Sequence, residues 1–258
     1  MSTELKNAGV LITGGTSGLG AETARVFAAE GACVVIAGRN ADAGKQLADE
    51  LGDNTSYVQT DVTDEDQVAS AVSVAAGAPN GLRLAVSAAG VATVAKTVGR
   101  DGSPHPLAPF RQMLDVNLVG AFNLLRLSAA AMATNDPNED GTRGAVVLTS
   151  SVGAYEGQMG QIAYAASKGG IVSMVLPAAR DLARSGIRVN CIAPGVFDTP
   201  FMDILSEEAK AGLGASIPHP SRLGKSSEFA GLVRHIAHNP MLNGATIRLD
   251  GALRLGMK

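Results

Sequence analysis

Residues 9–30 read GVLITGGTSGLGAETARVFAAE, in which a short apolar run, a glycine-rich turn and a helical pattern follow one another directly. The run predicts a strand at Gly9–Ile12 and the pattern predicts a helix at Gly18–Glu30. Glycine-rich backbone can turn tightly and approach a pyrophosphate, which the N–H groups at the helix N-terminus would face. A turn without a ligand is the alternative, but a strand before the turn and a helix after it support dinucleotide binding. The candidate contacts in this loop are Gly14, Ser17, Gly18, Leu19 and Gly20.

Short apolar runs alternate with longer helical patterns along the rest of the chain. The predicted strands are Gly9–Ile12, Cys33–Ala37, Ser56–Gln59, Arg83–Ser87, Ala145–Thr149, Arg188–Ile192 and Thr246–Leu249. The predicted helices are Gly18–Glu30, Ala41–Leu51, Asp64–Ala76, Pro109–Thr134, Ile162–Arg184 and Ser226–Ala237. Most of the strand runs show little alternation, as parallel strands buried on both faces do. The sequence therefore predicts one α/β domain over residues 1–258, a Rossmann-type doubly wound parallel sheet of about seven strands flanked by helices.

The composition indicates a globular protein without a strongly charged partner. Apolar residues make up 46% of the 258 residues, the net charge is −3 and the isoelectric point is about 5.8, so neither nucleic acid nor an anionic membrane is expected. No apolar run looks long enough to span a bilayer, and the first residues lack an apolar signal region, so the expected location is cytoplasmic. Cys33 and Cys191 are expected as free thiols in buried strands. The four histidines show no metal-ligand grouping, so no metal is expected.

The end of the second predicted strand bears on the choice between NAD and NADP. An acidic residue there would bind the ribose hydroxyls and select NAD, but the chain has Gly38 and Arg39. The Arg39 guanidinium suits a 2′-phosphate, which favours NADP. An arginine that reaches solvent, or stacks on adenine in an NAD enzyme, is the alternative.

The ends of the third and fourth strands provide further candidate cofactor contacts. Asp61, which Val62 follows, would accept a hydrogen bond from the adenine amino group, or would instead cap the helix that begins near Asp64. Ala88 and Gly90 stand after the fourth strand, where small residues would let a cofactor lie against the backbone.

The stretch SVGAYEGQMGQIAYAASK at residues 151–168 predicts acid–base chemistry. Tyr164 and Lys168 are four residues apart, so a helix would place both side chains on one face, one turn apart. An ammonium near a phenol favours the phenolate and is expected to lower the Tyr164 pKa from about 10. Tyr164 would then act as an acid and base near neutral pH, and Ser151 would donate a hydrogen bond to the same substrate oxygen. The alternative is a surface tyrosine and a solvated lysine on an amphipathic helix.

Asn117 lies inside the long helical pattern, where asparagine is a poor interior residue and is costly to bury unpaired. It either bonds locally in the core or orders water beside Lys168 for a proton relay. Both hypotheses remain open at this point.

The sixth strand ends at Pro194, at the sheet edge where ligands bind in such folds. Phe197 follows, and Thr199 would bond the nicotinamide carboxamide. The stretch at about 198–225 predicts a lid over the substrate, and plain helix packing is the alternative. The apolar residues of this lid are Phe201, Met202, Leu205 and Leu213.

Together these pieces resemble a classical short-chain dehydrogenase/reductase along essentially the whole chain. The matching pieces are TGGTSGLG at 13–20, Asp61-Val62, Asn117, Ser151, YAASK at 164–168 and Pro194-Gly195. The resemblance implies an NAD(P)(H)-dependent oxidoreductase with a catalytic tetrad of Asn117, Ser151, Tyr164 and Lys168. It implies that Tyr164 is the acid and base and Ser151 polarises the carbonyl. Lys168 would lower the Tyr164 pKa and hold the nicotinamide ribose, and Asn117 would support a water relay.

Within that family the chain is similar to the type II 3-hydroxyacyl-CoA dehydrogenases, which also oxidise some hydroxysteroids. The similar stretches include VAKTVGRDGSPHPLAPFRQMLDVNLVGAFN at 94–123 and EGQMGQIAYAASKGGIV at 156–172. This implies a 3-hydroxyacyl-CoA or 3-oxoacyl-CoA substrate, Gln158 and Gln161 in the substrate site, and a homotetramer. Gly38 departs from the subgroup's acidic ribose residue, which sets the subgroup's NAD preference against the NADP that Arg39 favours.

Other functions are compatible with the same tetrad. A 3-oxoacyl-carrier-protein reductase and a secondary-alcohol or hydroxysteroid dehydrogenase would use the same acid–base chemistry on another substrate. A non-catalytic cofactor-binding scaffold is disfavoured, because such proteins typically lose the Tyr or the Lys, and both are present here at Tyr164 and Lys168.

Overall fold

The structure is a computed structural model that describes residues 5–202 and 206–257 of the 258. Its strands are β1 (Gly9–Thr13), β2 (Cys33–Gly38), β3 (Thr55–Gln59), β4 (Leu82–Ser87), β5 (Gly144–Thr149), β6 (Ile187–Pro194), β7 (Phe197–Asp198), β8 (Gly224–Lys225) and β9 (Thr246–Leu249). Its α-helices are α1 (Gly18–Ala29), α2 (Ala41–Leu51), α3 (Glu65–Ala76), α4 (Leu107–Leu114), α5 (Gly120–Met132), α6 (Ile162–Asp181), α7 (Glu207–Ala215) and α8 (Ser226–His238).

Within the described residues, seven strands form one parallel sheet in the order β3-β2-β1-β4-β5-β6-β9, and β7 pairs with β8 apart from it. The predicted α/β fold is therefore confirmed, and the ends of the seven predicted strands move by two residues at most. The chain leaves β1 toward β2 on one side and later adds β4 on the other. The crevice at the carboxyl ends of β1 and β4 is thus the switch point at which such sheets bind ligands.

Helices cover both faces of the sheet, and each face has its own apolar core. On one face Phe27 of α1 and Phe229 of α8 are fully buried against β1 and β2 side chains. On the other, α3, α5 and α6 contribute side chains such as Leu124 and Ile171 to a second core. Burial on both faces explains why the strand sequences show little polar alternation.

The long helix predicted at Pro109–Thr134 is not one α-helix. A π-helical turn at Asp115–Val119 separates α4 from α5, and Asn117 lies within this turn. Such insertions widen a helix locally and often occur at functional sites. The helix predicted at Ile162–Arg184 is also shorter, since α6 ends at Asp181 and a separate 3₁₀ turn follows.

Helix α6 corrects the expectation that no apolar run reaches the length of a membrane span. It has 20 residues and a mean hydropathy of 1.3, so it meets that criterion by length and composition. Its buried residues pack against the sheet, and it carries the buried Lys168. The core helix of a soluble protein passes the same test, so this one helix is weak evidence for a membrane.

Candidate active site

The glycine-rich loop between β1 and α1 has the backbone that the sequence predicted. Gly14 and Gly18 adopt φ angles of +69° and +50°, which favour glycine over other residues. A Cβ at Gly14 would lie 2.5 Å from the Ala89 nitrogen, and one at Gly20 would collide with the Gly14 carbonyl oxygen. Among the described residues, Ser17 precedes α1 without a side-chain capping hydrogen bond. The loop therefore offers close backbone approach and an α1 N-terminus whose N–H groups Ser17 does not cap.

A cavity of about 620 Å³ opens at the carboxyl ends of the strands, beside this loop. Of the described residues predicted for the site, all line this cavity except Asn117. The structure thus brings the predicted cofactor contacts, the two glutamines and three members of the tetrad into one space. A cavity of this size is typical of small-molecule sites.

Lys168 is held at the floor of the cavity by backbone atoms. Its side chain is buried, and its Nζ donates a hydrogen bond of 2.9 Å to the Thr149 carbonyl oxygen at the end of β5. The Ser150 hydroxyl donates in turn to the Lys168 carbonyl oxygen at 2.8 Å. Burial lowers the pKa of Lys168 to about 8, because the site replaces little of the water that stabilises an ammonium. The alternative prediction, that Lys168 is a solvated lysine on the protein surface, is therefore wrong.

Tyr164 lies one helical turn from Lys168, and the Lys168 Nζ is 5.8 Å from the centre of the tyrosine ring. The predicted direction of the Tyr164 pKa is wrong for this structure. Burial raises the Tyr164 pKa, and a hydrogen bond with Ser151 only partly offsets that effect. The side chain is half-buried by exposed area, yet the packing around the phenol is sufficient to disfavour the phenolate.

Ser151 has a backbone partner that orients its hydroxyl. Its Oγ accepts a hydrogen bond of 3.0 Å from the Gly153 N–H, just after β5. With a lone pair engaged in this way, the Ser151 O–H is free to donate toward the cavity. Ser151 and Tyr164 are neighbours in the cavity, because a Cβ at Gly153 would lie 3.4 Å from Ser151 Oγ and 3.2 Å from Tyr164 Cε1.

Asn117 is buried and bonds locally, as the core alternative predicted. Its Oδ1 accepts from the Val91 N–H at 2.8 Å, and its Nδ2 donates to the Val91 carbonyl oxygen at 2.9 Å and to Ser167 Oγ at 3.1 Å. The amide therefore joins the loop after β4 to the second turn of α6. A role in a water relay stays a prediction.

Asp61 and Arg39 lie together where the adenosine end of a dinucleotide is expected. The Asp61 carboxylate accepts from the Thr63 N–H and hydroxyl at 2.9 and 2.8 Å. These bonds, with a smaller contribution from the Arg39 guanidinium, hold the pKa of Asp61 below its usual value. Asp64 is the residue that caps α3, through a 3.1 Å hydrogen bond from the Gln67 N–H. The alternative prediction that Asp61 caps this helix is therefore wrong.

The stretch after β6 crosses over the glycine loop. A Cβ at Gly18 would lie 3.3 Å from the Thr199 Cβ, so these two residues nearly touch. Phe197 is buried, and its strand β7 pairs with β8 near the end of the predicted lid. Met202 and Leu213 line the cavity. Leu205 lies outside the described residues, and the structure does not describe the side chain of Phe201.

A family model of short chain dehydrogenases matches residues 8–210. This chain belongs to the short-chain dehydrogenase family. It is 48% identical to a Drosophila melanogaster protein named 3-hydroxyacyl-CoA dehydrogenase type-2, over 97% of this chain and 99% of the relative. The Homo sapiens protein of that name is also 48% identical, over 95% and 94% of the two chains. A solved 3-hydroxyacyl-CoA dehydrogenase type-2 from Mycobacterium avium superposes with a TM-score of 0.96, at 46% identity over 99% of both chains.

The predicted resemblance is therefore confirmed, and the short-chain dehydrogenase described here is an oxidoreductase that uses a nicotinamide cofactor on small molecules. Its own residues fit that cofactor. Gly14, Gly18 and Gly20 carry no side chain that would hold the loop backbone away from a ligand, and the adenosine end offers both a carboxylate and a guanidinium. When bound, the nicotinamide accepts or donates a hydride.

Several residues that shape this dehydrogenase site were not predicted. Thr149 and Ser150 hold Lys168 in place, and their position at the carboxyl end of a strand was the available signal. Val94 and Leu255 line the cavity from distant parts of the chain. Nothing in their local sequence distinguishes these two from ordinary apolar residues.

Proposed function

We propose that this protein oxidises the 3-hydroxyl group of a 3-hydroxyacyl-CoA to a 3-oxo group and also catalyses the reverse reduction. The names of relatives that are 46–48% identical along the whole chain support this substrate class. The observation that carries the chemistry is that Tyr164 and Ser151 are neighbours in a cavity that the glycine loop also lines.

In the proposed reaction Tyr164 moves the proton. During oxidation Tyr164, as the phenolate, would take the proton of the substrate hydroxyl, and the nicotinamide, when bound, would supply the hydride acceptor. Because burial raises the Tyr164 pKa, formation of this phenolate would depend on positive charge beside it. During reduction the Tyr164 hydroxyl returns that proton to the carbonyl oxygen. Ser151 donates a hydrogen bond to this oxygen, and the Gly153 N–H keeps the serine oriented. Lys168, in its protonated form, favours the phenolate and holds the nicotinamide ribose.

For the cofactor we propose NADP. Arg39 is exposed and lines the adenosine end of the cavity, where it supplies a positive charge for a 2′-phosphate. Gly38 carries no carboxylate to repel that phosphate, and a Cβ there would lie 2.9 Å from the Thr16 Cγ2. An acidic residue at position 38 would therefore also displace Thr16.

Two elements are proposed to bind the substrate. Gln161 Oε1 accepts from the Gln158 N–H at 3.2 Å, which holds both glutamines at the cavity lining, where they would bind the thioester end. The described parts of the stretch at 198–225 would act as a lid, with Met202 and Leu213 toward the acyl chain.

We also propose a homotetramer. Apolar side chains are exposed just before α5, on α5 and on α6. Their exposure supports burial of this surface against other copies of the chain. Val119, Phe122 and Leu176 are 43%, 47% and 46% exposed. The cytoplasmic location stays a prediction.

The test compares Tyr164→Phe with the wild type in the oxidation of 3-hydroxybutyryl-CoA, with NAD and NADP in parallel. Loss of the proton acceptor should reduce turnover by at least about 100-fold, which is the usual contribution of general acid–base catalysis. Cofactor binding, followed by fluorescence of the reduced cofactor, should remain. Tyr155→Phe is the matched control, because Tyr155 is 47% exposed and lies outside the cavity lining of the described residues.

Near-normal rates in Tyr164→Phe would contradict the proton-transfer role. A secondary alcohol serves as the control substrate. Turnover of the alcohol but not of the thioester would keep the tetrad and would replace the acyl-CoA assignment with a secondary-alcohol or hydroxysteroid dehydrogenase.

A further inference from the structure

The C-terminal tail, residues 253–257, returns from β9 to the cavity. After β9 a tight turn reverses the chain, with Gly251 and Ala252 at φ angles of +59° and +67°. The Ala252 N–H binds the Asp250 carboxylate at 3.0 Å, and the Leu253 N–H binds the Asp250 carbonyl oxygen at 3.0 Å. Leu253 is then buried. The turn and this anchor fix the direction of the tail.

The tail lies along the segment that carries the two glutamines of the cavity. The Met159 N–H donates to the Met257 carbonyl oxygen at 3.0 Å. The Leu255 N–H makes a small contribution to lowering the pKa of the Glu156 carboxyl group. The Met159–Met257 bond thus holds the tail beside residues 156–161, the segment whose two glutamines line the cavity.

Arg248 of β9 joins the tail to this segment. Its guanidinium binds both oxygens of Glu156, at 2.7 and 2.9 Å, and also Asp250 Oδ2 at 2.7 Å and the Leu253 carbonyl oxygen at 3.0 Å. The same guanidinium lies 5.2 Å from the centre of the Tyr155 ring. A bidentate, partly buried ion pair of this kind fixes the relative orientation of the two side chains better than a surface ion pair does.

Leu255 is the tail residue that lines the cavity, and it is half-buried. The other apolar side chains of this lining include Val94, Met202 and Leu213. Val94 lies against the segment that carries the two glutamines, because a Cβ at Gly160 would lie 2.6 Å from its Cγ1. The catalytic groups therefore share one cavity with several apolar side chains, and Leu255 is one of them.

We propose that Leu255 limits the length of the chain that the substrate carries beyond its reacting carbon, and that the Glu156–Arg248 ion pair holds Leu255 in that position. That this chain is the acyl chain of an acyl-CoA rests on the proposed function. Leu255 is a specificity-determining residue in this sense, and Glu156 and Arg248 are positioning residues that act through it.

The experiment measures kcat/KM for 3-hydroxybutyryl-CoA and 3-hydroxyoctanoyl-CoA in the full-length enzyme. Leu255→Ala should raise the ratio of long-chain to short-chain kcat/KM by at least about tenfold, since a single methylene in an apolar pocket changes discrimination by that much. Leu255→Phe should lower the same ratio. Met257→Ala is the matched control, because the Met257 side chain is 80% exposed and only its backbone binds the neighbouring segment.

Glu156→Gln tests the positioning role. It should move the ratio in the direction of Leu255→Ala, and the double variant should show no larger change than Leu255→Ala alone, because both act through one side chain. Additive effects would overturn the coupling. An unchanged ratio in both Leu255 variants would overturn the specificity role.

The outcome is separable from the proposed function. If the wild type oxidises neither thioester, the acyl-CoA assignment fails, and the same variants are compared on 2-butanol and 2-octanol. A shift in the alcohol ratio would then support the role of Leu255, and no shift would overturn it.

Discussion

Lys168 provides a test of the electrostatics of the site that does not depend on substrate. Its pKa falls from 10.5 to about 8 on burial. The unfolded chain therefore binds more protons than the folded chain between about pH 8 and 10.5, so this group makes the free energy of unfolding rise with pH in that window. At pH 7 the buried ammonium costs the fold about 3 kcal/mol, since each pKa unit corresponds to about 1.4 kcal/mol.

Lys168→Met removes this cost together with the hydrogen bond to the Thr149 carbonyl oxygen. The lost bond costs about 1 kcal/mol, so the variant should be about 2 kcal/mol more stable than the wild type at pH 7. By pH 9.5 about 2 kcal/mol of the burial cost has gone, and the two proteins should be nearly equal in stability. The pH range of this comparison ends at 9.5 because burial raises the Tyr164 pKa above its usual value, so the phenol stays protonated throughout that range.

The assay is urea unfolding followed by circular dichroism, at one protein concentration, at pH 7 and at pH 9.5. Other titrating groups cancel when each variant is compared with the wild type at the same pH. Lys45→Met, at an exposed lysine of α2, measures the effect of losing a surface lysine. A stability difference between Lys168→Met and wild type that does not change with pH would refute the argument that burial depresses this pKa.

The remaining predictions concern the cofactor loop, cofactor choice and the core. Gly14→Ala should weaken binding of reduced cofactor at least about tenfold in a fluorescence titration, because its φ of +69° and the 2.5 Å approach to the Ala89 nitrogen exclude a Cβ. Arg39→Gln should lower the ratio of kcat/KM for NADP to that for NAD by about tenfold or more, through loss of charge at the 2′-phosphate. Phe229→Ala should lower the free energy of unfolding in urea by about 3–5 kcal/mol, because the ring is fully buried.

The sequence predicted the sheet well because its strands are buried on both faces and so carry continuous apolar runs. The helices were predicted less well where tertiary contacts decide the geometry. The π-helical turn at Asp115–Val119 coincides with the bonds that join Asn117 to Val91, a partner on another loop. No local pattern in the helix reveals that partner.

The site was predicted in the same uneven way. Motif spacing identified Ser151, Tyr164 and Lys168, since one loop and one helix bring them together. The pKa direction of Tyr164 was wrong, because the spacing indicates which charge is near but not how much water the fold removes. Leu255 escaped notice because a chain that turns back after the last strand brings it to the cavity.

Three polar groups of the site are held by backbone atoms near the ends of strands. Lys168 binds the carbonyl oxygen of Thr149, and Ser151 accepts from the Gly153 N–H just after the same strand. Asn117 binds the backbone of Val91, after the neighbouring strand β4. Because the sheet register fixes β4 beside β5, the geometry of the site follows from the sheet, whereas the fold gains nothing from the Lys168 charge. Side-chain changes at Lys168 should therefore alter the chemistry while the sheet keeps its structure.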